Sequence, residues 1–107
     1  MERKKYSTLD MGINNSYLSA FIEIRKAEGA PAVSYNQYVS RAGQLMRHVE
    51  KDLFTVTAEE FNAWLAEENN AIKKTHILNF CRTLLKQNVN DCCEKISKDM
   101  LLILAIN

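Results

Sequence analysis

The chain has little of what most function classes require. Its 107 residues include only three glycines and one proline, too few for the many turns of an all-β domain. Three scattered glycines cannot build a phosphate-cradling loop, and neither Gly-x-Gly-x-x-Gly nor a Gly-Lys-Ser/Thr turn occurs. The only apolar run, Met100 to Ile106, is far shorter than the ~20 residues of a membrane span. "MERKKYSTLD" has no apolar stretch behind its charges and does not read as a signal peptide. A cytoplasmic protein is expected, with no membrane partner.

Cysteine is equally uninformative as a framework. Cys81, Cys92 and Cys93 are odd in number and two are adjacent, which fits a reducing compartment better than a disulfide scaffold. Cys81 lies among apolar residues and reads as a small core hydrophobe. No Cys or His pairs stand at ligand spacing, so neither a metal nor another cofactor is expected. His48 and His76 are the only histidines, and no nucleophile–base motif accompanies them. The paired carboxylates Glu59/Glu60 and Glu67/Glu68 sit at helix ends, where solvated charge explains them. No enzyme and no small-molecule substrate are expected from this chain.

What is present is helical periodicity. The length suits one domain. Residues 1–15 read as a flexible lead-in. Tyr17, Leu18, Phe21, Ile22 and Ile24 then recur at helical spacing, with Ser16 as N-cap and Gly29 as the stop. After Pro31, Ser34 is placed to cap a second helix to about Lys51, whose apolar face includes Tyr35, Tyr38, Ala42, Leu45 and Met46. Thr57 and Glu60 form a capping box for a third helix, with Val56 and Phe61 placed as a hydrophobic staple. A fourth runs from about Ile72 to Asn88, with Ile77, Phe80, Cys81, Leu84 and Leu85 as its apolar stripe. "VNDCCEKI" is a turn or short helix. Ser97 caps a last helix that carries Asp99 in its first turn. The expected fold is all-α: four helices plus a short C-terminal one. The apolar end of the chain implies either more chain beyond it or a tail that docks on a partner.

The charge layout is more specific than the net charge of +1. No acid occurs from Val33 to Val49 or from Asn69 to Asn90, whereas six lie between Glu50 and Glu68. The second and fourth helices therefore present acid-free polar faces. One carries Gln37, Arg41, Gln44 and His48; the other carries Thr75, Asn79, Arg82 and Lys86. Such side chains bond phosphate oxygens and base edges, and they equally suit a solvated surface. Lys73 and Lys74 stand at the start of the fourth helix, against its dipole. A phosphate arriving there would be held by helix amides and lysines together.

In order and spacing, Ser16 to Val89 resembles the N-terminal core-binding (SAM-like) domain of tyrosine recombinases, the phage-integrase family. "YLSAFIEIRKAEGAPAVSYNQYVSRAGQLMRHV" is similar to the family's first helix, loop and second helix. "LFTVTAEEFNAWLAE" is similar to its link and capped third helix, and "KKTHILNFCRTLLKQNV" to its fourth. The resemblance implies a four-helix SAM-like bundle over residues 16–96, with 97–107 as a C-terminal helix or the start of a linker to a missing catalytic domain. It implies sequence-specific or semi-specific binding of double-stranded DNA, in DNA integration or recombination, beside other recombinase subunits. The positions it selects are Gln37, Arg41, Gln44, His48, Lys73, Lys74, Thr75, His76, Asn79 and Arg82. Lys73, Lys74, Arg82 and Arg41 are expected chiefly on phosphates, and Gln37, Gln44, His76 and Asn79 nearer the bases. The family's catalytic residues have no match: neither histidine is followed by x-x-Arg, and every tyrosine lies on or before the second helix. The alternative is a small helical module that docks a protein through Met100 to Ile106.

Overall fold

A computed structural model of the chain describes residues 12–67 and 71–105. Most of the expected lead-in and the last two residues lie outside that range. Among the described residues the fold is all-α, with no strand: α1 (Ile13–Ala27), α2 (Asn36–Val49), α3 (Ala58–Glu67), α4 (Ala71–Lys86), the single turn α5 (Cys92–Lys95) and α6 (Lys98–Ala105). Short 3₁₀ turns precede α2, α3 and α5. None of the described helices is long and apolar enough to cross a membrane.

α1 begins three residues before the expected Ser16, so Ser16 is a helical residue and not the cap. The reason is tertiary. Asn14 is buried, donates to the Lys51 carbonyl at 2.7 Å, and accepts from the Leu53 amide at 3.0 Å. That tie holds the extra turn against the α2–α3 link. The other end follows local chemistry. Gly29 adopts a φ of 79°, and its amide and that of Ala30 close onto the carbonyls of Lys26 and Arg25, a Schellman-type stop.

Ser34 does not cap α2 either. It ends the 3₁₀ turn Ala32–Ser34 and donates its hydroxyl to the Pro31 carbonyl at 2.7 Å, and Tyr35 holds the N-cap position. The Thr57 box does form. The Glu60 amide donates to Thr57 Oγ1 at 3.1 Å and the Thr57 amide to Glu60 Oε1 at 2.9 Å, with Val56 and Phe61 both buried. Lys51 and then the Thr57 amide hold the Glu60 carboxyl below its usual range. Ser97 caps α6 through the Met100 amide at 3.0 Å.

α4 runs through the middle of the molecule. Its longest contact is with α2, and it also packs on α1, α5 and α6. Phe80 stacks on Phe21 of α1 with ring centroids 4.5 Å apart, and Tyr35 and Tyr38 meet Phe21 edge-on. Cys81, Cys92 and Met100 are fully buried in the same core. All three cysteines are free thiols. The C-terminal segment is thus part of this core: Met100 and Leu104 point inward, while Leu101 and Leu102 stay 51% and 61% exposed.

Candidate nucleic-acid interface

The α2 face forms largely as its spacing predicts. Gln37 and His48 are exposed, Arg41 and Gln44 half-buried, and Arg41 Nη1 donates to Gln44 Oε1 at 3.2 Å. Arg47 is also exposed on this helix, a position that the acid-free run contained and the four-residue stripe left out. His48 differs from expectation in its company. Its Nδ1 lies 3.1 Å from Glu67 Oε2 at the end of α3, so a carboxylate borders that edge of the face.

On α4, Thr75 and Lys86 are exposed and Lys74, Asn79 and Arg82 are half-buried. The expected stripe is therefore the outer side of a packed helix. Lys73 is not on it. Lys73 is 2% exposed, its ammonium donates to the Trp64 carbonyl at 3.2 Å, and it lies 4.2 Å from the centroid of the indole ring. Trp64 is in the last turn of α3, where carbonyls lack intrahelical partners and the dipole favours a cation. The lysine that opposes its own helix dipole thus satisfies the neighbouring one, and it is removed from the set of phosphate contacts.

His76 is also corrected. It is 9% exposed, its ring meets Tyr38 edge-on at 5.1 Å, and its Nδ1 is buried without a hydrogen-bond partner. Burial first, and then the charge of Arg41, hold its pKa below the ordinary imidazole value. It is mostly buried in the α2–α4 seam, where the ring packs on Tyr38 instead of standing on the outer face. Arg82 is partly engaged: Nη2 donates to the Leu104 carbonyl in the last turn of α6. Two of the four cations expected on phosphate, Lys73 and Arg82, thus bond carbonyls at helix C-termini; Lys73 is buried in doing so, whereas half-buried Arg82 keeps further N–H donors.

Next to the stripe lies a feature that spacing could not indicate. An open groove of about 330 Å³ runs between α1 and α4, lined by Arg25, Glu28, Asn79, Arg82, Thr83 and Lys86 among others. Arg25 bonds Glu28 Oε1 through Nη1 and Thr83 Oγ1 through Nη2, both at 3.0 Å. Its guanidinium carbon lies 5.1 Å from the Phe21 ring centroid.

The remaining perturbed groups serve the fold. The Tyr17 hydroxyl donates to both Asp52 oxygens at 2.9 and 3.1 Å, and burial followed by that carboxylate pushes the phenol far up. Burial likewise raises the Cys81 thiol and pushes Cys92 up to about 11. Among the described residues no group of three or more His, Cys, Asp or Glu side chains could hold a metal ion. Compared with known proteins, the chain matches no family model, no curated protein and no solved structure.

Proposed function

We propose that this chain binds duplex DNA through the outer faces of α2 and α4, in the manner of the tyrosine-recombinase core-binding domains its sequence resembles. The observation that carries this reading is the pairing of the two helices. The two that share the longest contact are also two without a carboxylate of their own. Arg41, Arg47 and Lys74 supply the charge for phosphates; Gln37, Gln44, Thr75 and Asn79 are the amides and hydroxyl nearer base edges. In this reading the chain is a binding domain of a site-specific recombinase or integrase, and strand chemistry belongs to a separate catalytic domain.

Fluorescence anisotropy with a labelled duplex tests it. With three phosphate contacts, affinity should fall about fortyfold between 50 and 200 mM salt. The double change Arg41→Ala/Lys74→Ala should weaken binding about tenfold or more while leaving the far-ultraviolet circular dichroism unchanged. Absence of duplex binding at 50 mM salt sinks the proposal.

A second reading rests on Leu101 and Leu102, adjacent and more than half exposed on α6. They would be the contact through which the bundle docks another protein.

A further inference from the structure

The groove between α1 and α4 has the composition of an anion site. Three cations, Arg25, Arg82 and Lys86, line it against one carboxylate, Glu28. That carboxylate is already engaged with Arg25 Nη1. Asn79 and Thr83 add neutral polar groups to the wall.

Its two guanidinium groups are held rather than loosely solvated. Arg25 is fixed by Glu28, by Thr83 Oγ1 and by the Phe21 ring beneath it. Thr83 is itself oriented, donating to the Asn79 carbonyl at 2.8 Å. Arg82 is anchored by the Leu104 carbonyl. Each guanidinium carries five N–H donors, so these bonds leave several on each for a ligand. Arg25 Nε, moreover, is buried without an acceptor, so the protein's own groups leave this guanidinium under-satisfied. Lys86 is exposed at the rim and brings a compact charge with three more donors.

Fixed guanidinium donors beside an exposed ammonium match the oxygens of a phosphate group, which accepts several charge-assisted hydrogen bonds at once. We infer that the α1–α4 groove is a phosphate-binding site that receives one phosphate group, from a free phosphate ester or from the backbone of a nucleic acid. It shares Asn79 and Arg82 with the α4 face described above, but it stands on the groove and does not require that face to bind DNA.

The test follows the amide and side-chain resonances of isotope-labelled full-length protein during titration with sodium phosphate, against sodium chloride at equal ionic strength. Saturable shifts at Asn79, Thr83 and Arg25 with phosphate alone are expected, and Lys86→Ala, at an exposed position, should weaken them about tenfold. Thr83→Val, which removes the acceptor that orients Arg25, should weaken them with the helical circular dichroism retained. Equal shifts with chloride, or shifts unaffected by both variants, overturn the inference. A parallel titration with duplex DNA separates the sources. Phosphate binding without duplex binding assigns a free phosphate ester and leaves the inference standing while the DNA reading fails. Competition between phosphate and duplex, both weakened by Lys86→Ala, assigns a backbone phosphate. Duplex binding that leaves the groove resonances unmoved, with no response to phosphate, removes the site and spares the DNA reading.

Discussion

An ammonium that is only 2% exposed must find compensation for lost hydration, and Lys73 finds it in the Trp64 carbonyl and the face of the indole. Both partners depend on the positive charge, so a residue of similar length without it separates charge from packing. Lys73→Met should lower stability by about 1–3 kcal/mol, since a carbonyl near the end of α3 loses its donor. Lys73→Ala should cost more, because the buried stem is lost as well. Urea denaturation measures both; an unchanged midpoint for Lys73→Met would show that desolvation of the ammonium cancels its bonds. Sequence alone placed Lys73 beside Lys74 as a like pair. The structure separates them, because consecutive residues on a helix point about 100° apart and only one direction faces α3.

Helix ends account for much of the polar structure at the next scale. α3 is closed at its start by the Thr57–Glu60 box and by Asp99 of α6, which accepts from the Ala58 amide at 2.7 Å. Lys73 closes its other end. The carboxylate thus sits at the positive pole of α3 and the ammonium at the negative pole. Asp52 caps the 3₁₀ turn Leu53–Thr55 through the Phe54 amide while holding Tyr17 and, at 3.4 Å, Lys95. Thr57 was legible because its two bonds lie within three residues. Ser34 fits the same spacing with Gln37, yet Pro31 starts a 3₁₀ turn whose carbonyl takes the hydroxyl instead. Thr57→Ala should therefore cost about 1 kcal/mol, a fall of about 4–8 °C in melting temperature for a domain near this size. Ser34→Ala should leave the melt nearly unchanged. Equal losses from the two would mean that Ser34 acts on α2 after all.

For the molecule as a whole, α6 decides whether the bundle is a closed core or a docking element. Met100 and Leu104 fill the core beside α3 and α4, whereas Leu101 and Leu102 face away. Met100→Ala should cost about 2–5 kcal/mol by leaving a cavity. Leu101→Gln/Leu102→Gln should stay within about 1 kcal/mol, since half-exposed side chains give up little burial. If α6 docks a second copy, the double glutamine variant should elute later from a sizing column than the unaltered chain. If both elute together as monomers, Leu101 and Leu102 do not mediate self-association.

The amino-acid sequence by itself determined the all-α class, the Thr57 box, the Gly29 stop, the core role of Cys81 and the acid-free outer sides of α2 and α4. These rest on periodicity, or on bonds that close within about one helical turn. Only the tertiary structure decided which cations reach solvent. The carbonyl that engages Lys73 lies 9 residues away and the one that engages Arg82 lies 22 away. The groove that joins Arg25 to Thr83 spans 58 residues of chain. No local spacing encodes such pairings, because they exist only once α4 is packed among α1, α3 and α6. A basic residue in the sequence is a charge; whether it meets a helix terminus or a phosphate depends on what the fold brings beside it.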